Sequence, residues 1–196
     1  MKIGLYFGSF NPIHIGHLII ANHVLNNTEL DKIWFVISPQ NPFKIQASLL
    51  NEYDRLYLVQ KALEDNDKLK ASEIEFSLPK PSYTSNTLAY LGEKYPSHQF
   101  QIIMGSDGFQ NIESWHNAEV IIKNYPIIIY KRPQFEINYD SKAAIQVMDA
   151  PLLEISATHI RQLINSGKSI KYLVPDLVEK EILENRYYRT KENNLK

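Results

Sequence analysis

The sequence predicts an α/β fold: a doubly wound, mostly parallel sheet with helices on both faces and a small C-terminal helical segment. Short apolar runs alternate with amphipathic stretches along the chain, which is the pattern of strand–helix–strand units. The runs are apolar throughout, so they read as strands buried on both faces. Three of them end in polar or glycine-containing sequences, at residues 8–10, 38–40 and 105–107. Because the carboxyl ends of parallel strands meet at one edge of a sheet, we expect a ligand site there.

Local signals define the individual elements in chain order. A first strand (3–7) precedes a segment with apolar residues at helical spacing (15–25). A second strand (33–37) leads into a loop with two prolines (39–48), and Asn51 can then cap a helix. The same signals predict strands at 74–76, 100–104 and 127–130, and helices at 85–95, 158–164 and 175–185.

Length and composition limit the class of protein. The 196 residues suit a single domain, which we expect over 1–190, with a C-terminal helical part at about 156–188 and a tail at 191–196. The 21 basic and 22 acidic residues give a net charge of −1, which does not favour nucleic acid as a partner. The absence of cysteine excludes thiol catalysis. With neither a membrane span of about 20 apolar residues nor a signal peptide core, we expect a cytoplasmic protein.

The first motif joins a strand to a helix and reads Gly-Ser-Phe-Asn-Pro-Ile-His-Ile-Gly-His, residues 8–17. Gly8 permits a tight turn, and the start of the helix offers N–H groups and the positive end of its dipole to a phosphate. His14 and His17 are three residues apart, so they share a helical face and can donate hydrogen bonds to phosphate oxygens. The alternatives are a metal-binding pair, for which no third ligand is near, and two histidines without a chemical role.

The second motif reads Ile-Ser-Ala-Thr-His-Ile-Arg, residues 155–161. Ser156 or Thr158 can cap the helix that follows. Arg161 lies in the first turn, where a cation opposes the helix dipole, so its position suggests another role. The guanidinium fork suits phosphate oxygens, and the alternative is an ordinary capped helix with a surface arginine.

Residues between the two motifs can select a second substrate. The polar turn at 81–87 leads into a helix whose first N–H groups could hold a carboxylate, although it could be a helix cap only. Asp107 ends a strand and could accept hydrogen bonds from ribose hydroxyls. Trp115 could stack on a flat ring or belong to the core. Lys44 and Arg132 could meet a phosphate, although surface cations often have no specific role.

These motifs resemble those of a known family. The string at 8–17 resembles the signature of the nucleotidyltransferase superfamily with a His-x-Gly-His core, and in its full form that of the nicotinate-nucleotide adenylyltransferases. The second motif is similar to Ile-Ser-Ser-Thr-x-Ile-Arg, with Ala157 in place of a serine. The middle segments resemble Pro-Ser-Tyr-Thr-x-Asp-Thr and Gly-x-Asp…Trp, with Asn86 in place of an acid and His116 in place of a tyrosine. The resemblance spans nearly the whole chain and implies a Rossmann-like fold.

The resemblance also implies site residues. It implies that ATP binds through Gly8, Ser9, Phe10, His14, Gly16, His17, Gly105, Asp107, Ser156, Thr158 and Arg161. It implies that the second substrate binds through Lys44, Thr84, Ser85, Asp107, Trp115, His116 and Arg132. The expected catalytic groups are positive donors, namely His14, His17, Lys44 and Arg161. No metal site made of protein side chains is expected, and Mg²⁺ enters with ATP as the co-substrate.

The activity implied by the resemblance is transfer of AMP from ATP to nicotinate mononucleotide, which gives deamido-NAD and pyrophosphate in NAD biosynthesis. The partners would be these small molecules, without nucleic acid or membrane, and a homo-oligomer is an open possibility. Alternatives are an acceptor such as nicotinamide mononucleotide or phosphopantetheine, and a nucleotide-binding sensor without catalysis. Backbone amides at 81–87 favour the nicotinate acid, because they select a carboxylate over an amide.

Overall fold

The structure is a computed structural model that describes residues 1–40, 49–137, 144–151 and 153–189. Within these ranges the chain forms six strands: Lys2–Gly8 (β1), Lys32–Ile37 (β2), Leu69–Ser72 (β3), Gln99–Gly105 (β4), Ile127–Tyr130 (β5) and Ile145–Met148 (β6). The same ranges contain seven α-helices: Ile15–Asn26 (α1), Glu52–Leu63 (α2), Thr84–Lys94 (α3), Ser106–Phe109 (α4), Ala118–Asn124 (α5), Ala157–Asn165 (α6) and Asp176–Glu184 (α7). Two short 3₁₀ helices lie at Ile74–Ser77 and Ile112–Ser114.

The strands of the described chain form one parallel sheet in the order β3-β2-β1-β4-β5-β6. This is the order of a doubly wound sheet, in which the direction of winding reverses between the two central strands. Leu5 of β1 lies between Trp34 of β2 and Ile102 of β4 in the register. The predicted α/β class is therefore confirmed, and the crevice at the reversal point opens at the carboxyl ends of β1 and β4.

Helices cover both faces of the sheet, and each face has its own apolar core. Residues of α1, α2, α6 and α7 pack against one face, where Phe35 is fully buried. Residues of α3, α4 and α5 pack against the other face, where Ile102 is fully buried. The two cores alternate along β4, since Ile102 and its neighbour Ile103 belong to opposite faces. This two-sided burial explains why the strands are apolar throughout rather than alternating with polar residues.

Most predicted elements agree closely with the structure, but the strand predicted at 74–76 is wrong. Ile74–Ser77 is a 3₁₀ helix, and the edge strand β3 precedes it and pairs with β2. The mixed sequence of β3 (Leu-Lys-Ala-Ser) lacks the apolar run that marks a buried strand, because an edge strand is paired on one side only. The apolar residues at 74–76 belong to a tight turn that brings Glu75 inward.

Besides β3, the elements α4, α5 and β6 have no counterpart in the sequence-based prediction. Strand β6 lies in the stretch 134–147, in which no sequence signal indicates a strand, and extends by one residue beyond it. It is also an edge strand, and its two central residues are exposed. Helix α5 is short and follows Asn117, whose backbone is left-handed (φ 55°). The predicted tail at 191–196 and most of the predicted loop at 39–48 lie outside the described residues.

Candidate active site

A cavity of about 580 Å³ lies at the carboxyl ends of β1 and β4, where the sheet reverses its winding. Most of the residues singled out from the sequence line it: Gly8, Ser9, Phe10, His14, His17, Thr84, Gly105, Asp107, Trp115, His116, Arg132, Ser156, Thr158 and Arg161. Gly16 and Ser85 do not line it. Lys44 lies outside the described residues. The structure therefore brings five separate segments of the chain to one cavity, namely 8–17, 84, 105–116, 132 and 156–161.

The two histidines stand at the start of α1. His14 is the N-cap residue, and its ring stacks on that of His17 with centroids 3.7 Å apart and planes inclined by 28°. The His14 backbone N–H donates to His17 Nδ1 at 3.2 Å. Because Nδ1 accepts this bond, a neutral His17 ring carries its proton on Nε2. The pair is thus fixed in orientation by the first turn of the helix.

The charge of His14 differs from the expectation that the histidines act as positive donors. Burial, together with the nearby Arg132 guanidinium, lowers the pKa of His14 from its ordinary value of 6.5 to about 4. His14 is therefore neutral at pH 7 in this structure. A neutral imidazole still donates one N–H, so the side chain can bind a phosphate oxygen without contributing a charge.

Arg161 links the second motif to the first. Its Nη1 donates to the backbone carbonyl of Asn11 at 2.7 Å, and its Nη2 donates to Thr158 Oγ1 at 3.2 Å. The side chain of Ser156 caps α6 by accepting from the His159 N–H at 3.2 Å. The sequence left the cap open between Ser156 and Thr158, and the structure assigns it to Ser156. Arg161 thus reaches back across the helix start to the loop after β1, which accounts for a cation in the first turn.

Asp107 and Arg132 face each other across the end of β4. Asp107 Oδ1 lies 3.3 Å from Arg132 Nε, and the Arg132 backbone N–H donates to Ser106 Oγ at 2.9 Å. The Arg132 guanidinium also lies over the ring of Tyr130, 5.5 Å from its centroid. A Cβ atom at Gly105 would collide with Asp107 Oδ1 and come within 3.0 Å of Arg132 Nε. Glycine is therefore required at this strand end for the ion pair to occupy its place.

Thr84, Trp115 and His116, which were predicted to bind the second substrate, line a further part of the cavity wall. The Ser85 hydroxyl lies 3.0 Å from His116 Nδ1, and the rings of Tyr83 and His116 lie 4.7 Å apart. Trp115 follows the 3₁₀ helix at Ile112–Ser114 and is half-buried, with its apolar part against the second core. Ser85 does not reach the cavity but contacts a residue that does. The turn before α3 and the loop before α5 are thus joined through His116.

The sequence reasoning missed two buried polar groups beside the cavity. Glu75 is 1% exposed and lines the cavity, and its Oε1 accepts from the Thr87 hydroxyl at 2.8 Å. Burial raises the pKa of this carboxyl, and the hydroxyl groups around it oppose the rise. Arg55 is fully buried behind the loop after β1. The sequence does not single out either group, because Asp54 directly precedes Arg55 and Glu73 lies two residues before Glu75.

No cluster of three or more histidine or acidic side chains that could hold a metal ion occurs in the ranges that the structure describes. No helix in those ranges has the length and apolar character needed to cross a membrane. The donors that line the cavity are instead imidazole, guanidinium and backbone groups, which suit an anionic ligand.

A doubly wound sheet with two histidines and an arginine at its reversal point defines the class of α/β nucleotidyltransferases. The family model described as "Cytidylyltransferase-like" matches residues 5–163. A protein of Cytophaga hutchinsonii named "Probable nicotinate-nucleotide adenylyltransferase" is 51% identical over 96% of this chain and 98% of its own. A protein of Flavobacterium psychrophilum with the same name is 48% identical over 96% of this chain and 100% of its own.

Among solved structures, the Plasmodium falciparum nicotinic acid mononucleotide adenylyltransferase complexed with NaAD has a TM-score of 0.82 at 24% identity. The match covers 100% of this chain and 99% of that one, and it supports the Rossmann-like α/β fold. The chain belongs to the nicotinate-nucleotide adenylyltransferase family within the cytidylyltransferase-like proteins. The resemblance read from the motifs is therefore confirmed.

Proposed function

We propose that the protein transfers the AMP part of ATP to nicotinate mononucleotide, giving deamido-NAD and pyrophosphate for NAD biosynthesis in the cytoplasm. The observation that carries the proposal is the convergence of His14, His17 and Arg161 on one cavity, although Arg161 is far away in the sequence. A triphosphate at the start of α1 would meet helix N–H groups, two imidazoles and a guanidinium fork. The family to which the chain belongs supports the choice of the pyridine nucleotide.

The chemistry needs no nucleophile from the protein. The acceptor's 5′-phosphate is a competent nucleophile at neutral pH, because its second pKa is about 6. One of its oxygens attacks the α-phosphorus of ATP in line, and the bond to the bridging oxygen of pyrophosphate breaks. The protein then contributes positioning and stabilisation of the charge that develops on the phosphate oxygens. His14 donates a neutral N–H, while His17, Arg161 and Lys44 would add further donors to the reacting phosphates.

Mg²⁺ fits this site as a partner of the nucleotide rather than of the protein. The acidic residues that line the cavity are Asp107, which pairs with Arg132, and Glu75, which is buried against Thr87. A divalent cation would therefore take most of its ligands from phosphate oxygens and water. When bound, it neutralises charge on the triphosphate and on the leaving pyrophosphate.

The wall that contains Thr84 and Trp115 is proposed to hold the pyridine ring. The first N–H groups of α3 point out of the helix start, where they can bind a carboxylate. The indole of Trp115 offers a flat apolar face for the ring. Asp107, which follows β4, would accept hydrogen bonds from ribose hydroxyls. This arrangement favours the nicotinate acid over its amide, because N–H groups attract a carboxylate more strongly.

A pyrophosphate-release assay with the acid and the amide mononucleotides, each with ATP and Mg²⁺, tests the proposal. We expect turnover with the acid and a much lower kcat/KM with the amide. Preference for the amide or for phosphopantetheine would reject the acceptor, and no release with any of them would indicate a nucleotide sensor.

The variant His17→Ala should lower kcat by about 10²–10³-fold, which is the usual loss for one such donor. The matched control is His23→Ala, which removes an imidazole from the last turn of the same helix, outside the cavity. If His17→Ala and His23→Ala had the same kcat, the role given to His17 would be wrong.

A further inference from the structure

Arg55 is a fully buried cation on α2, on the protein side of the phosphate-binding loop. Within the part of the chain that the structure describes, its guanidinium makes hydrogen bonds only to backbone carbonyls. Nε donates to Leu50 at 2.9 Å, Nη1 donates to Ser9 at 2.6 Å and to Ser38 at 2.9 Å, and Nη2 donates to Pro39 at 3.3 Å. One side chain thus joins the loop after β1 to the end of β2.

The charge of Arg55 has no carboxylate partner within ion-pair distance among the described residues. The two acidic residues next to it on α2 are engaged elsewhere. Glu52 pairs with Lys80 at 2.7 Å, and Asp54 accepts from the Tyr187 hydroxyl at 3.0 Å. Burial lowers the pKa of Arg55, which reflects the cost of keeping this charge away from water. The four carbonyl oxygens and the nearby Glu52 carboxylate offset part of this cost, and a polyanion bound close to the guanidinium would offset more of it.

The carbonyls that Arg55 holds belong to the wall of the cavity. Ser9 and Ser38 both line the cavity, although their carbonyl groups are turned towards the buried guanidinium. In a trans peptide the C=O and the following N–H point in opposite directions, so the bond to Ser9 turns the Phe10 N–H away from Arg55. Phe10 also lines the cavity and has a left-handed backbone (φ 45°). Arg55 therefore stabilises an unusual backbone conformation at the point where the triphosphate would bind.

We propose that Arg55 is a positioning residue for the triphosphate of ATP, which it serves by fixing the loop at Ser9 and by supplying a buried positive charge that the ligand neutralises. The proposal rests on the proposed function for the identity of the ligand. A charge that lies one peptide unit behind the cavity wall acts through a medium of low polarity, so its attraction for a polyanion is only weakly screened. Arg55 makes no contact with the substrate. It acts by holding the backbone of the loop at Ser9 and through the electrostatic field of its charge.

The experiment compares two variants of Arg55 with a core variant of the same helix. Arg55→Met removes the charge and the fork, Arg55→Lys keeps the charge, and Leu58→Ala opens a cavity in the core at another fully buried position of α2. The dissociation constant of Mg²⁺-ATP is measured by calorimetry at low and at high salt, with urea unfolding and circular dichroism to establish folding. The KM of nicotinate mononucleotide and kcat are measured in parallel.

We expect Arg55→Met to weaken Mg²⁺-ATP binding by about 10–100-fold, because the variant loses both the bonds that hold the loop at Ser9 and the buried charge behind it. Arg55→Lys should lie between Arg55→Met and the wild type, because it keeps the charge. The KM of the acceptor should stay within about twofold, since losing the positioning of one ligand leaves the other's contacts intact. Leu58→Ala should lose stability at an unchanged ATP affinity.

An ATP affinity of Arg55→Met within twofold of the wild type would overturn the proposal and leave Arg55 a structural role only. If Arg55→Met does not fold, a folded Arg55→Lys with wild-type ATP affinity and wild-type salt dependence would overturn it equally. Lack of turnover by the wild type with nicotinate mononucleotide would reject the proposed function alone, because the ATP affinities of the variants still decide the role of Arg55.

Discussion

Because His14 is neutral in the folded protein, we expect acid to lower the free energy of unfolding by a predictable amount. The side chain is 7% exposed at the start of α1, and burial with the nearby Arg132 lowers its pKa from 6.5 to about 4. In the unfolded chain the same imidazole takes up a proton as the pH falls through 6.5, while in the folded protein it stays neutral until the pH approaches 4. The unfolded state therefore binds more protons in this interval, and acid favours unfolding there.

The size of the effect follows from the two pKa values. The stabilisation due to neutral His14 is fully present above pH 6.5 and is lost as the pH falls towards 4. A pKa shift of one unit corresponds to about 1.4 kcal/mol, so the full loss is about 3 kcal/mol. This loss is a large fraction of the free energy of unfolding of a typical domain, which is about 5–15 kcal/mol. It is therefore measurable by urea unfolding.

The assay is urea unfolding of the wild type and of His14→Asn at several pH values between 4.5 and 7.5. Asparagine is a good N-cap residue, so the start of α1 keeps its cap while the titrating group is removed. We expect the free energy of unfolding of the wild type to fall more steeply with acid than that of His14→Asn, with a difference approaching about 3 kcal/mol. Subtracting the two curves removes the contributions of carboxylates that both proteins share.

His159→Asn is the control for this experiment, because it removes an exposed imidazole. Its curve should run parallel to that of the wild type. Parallel curves for the wild type and His14→Asn between pH 6.5 and 4.5 would refute the reasoning, since His14 would then titrate alike in the folded and unfolded states. The pKa of His14 measured by NMR in the folded protein gives an independent reading.

Three further predictions concern other parts of the site. Gly105→Ala should lower kcat/KM by displacing the Asp107 carboxylate while leaving the urea midpoint nearly unchanged, and wild-type kinetics would contradict this. Thr87→Val should reduce the free energy of unfolding by about 1–3 kcal/mol at pH 7, because the buried Glu75 Oε1 loses its hydrogen-bond donor. A urea midpoint equal to that of the wild type would argue that a water molecule replaces the hydroxyl. Trp115→Ala should raise the KM of nicotinate mononucleotide more than that of ATP, and an equal rise for both would place the indole outside the acceptor site.

The fold could be predicted because its main signals are local. Buried central strands such as β4 are apolar runs with few alternatives, and helix starts such as Asn51 have side chains that bond to their own turn. Asn51 Oδ1 accepts from the Tyr53 N–H at 2.9 Å, so this cap joins residues that are neighbours in the sequence. The edge strands β3 and β6 escaped prediction because pairing with a neighbour, not their own sequence, makes them strands.

The candidate site was recognisable only in its motif residues. His14 and His17 share a helical turn and can be paired from their spacing, whereas Arg55 takes most of its partners from two distant places in the chain, at Ser9 and at 38–39. Those partners are backbone carbonyls, which carry no side-chain signature. Glu75 was hidden for a related reason, since the segment around it resembled a strand and gave no sign that its carboxyl turns inward. Sequence spacing reveals neighbours along one element, but not contacts made by tertiary folding.

The guanidinium groups of Arg161 and Arg132 at the cavity are oriented by hydrogen bonds to neighbouring residues. Arg161 uses two of its five N–H donors on Asn11 and Thr158, and Arg132 is bonded to Asp107 and Tyr130. These bonds hold flexible side chains in one orientation, so little conformational entropy remains to be lost when a phosphate is bound. In the proposed reaction, the donors that are left would be oriented before the phosphates bind, which is the condition for effective stabilisation of a developing charge. An arginine at the same position without the Thr158 hydroxyl, or without a loop that presents the carbonyl of residue 11, would supply the charge but not the direction.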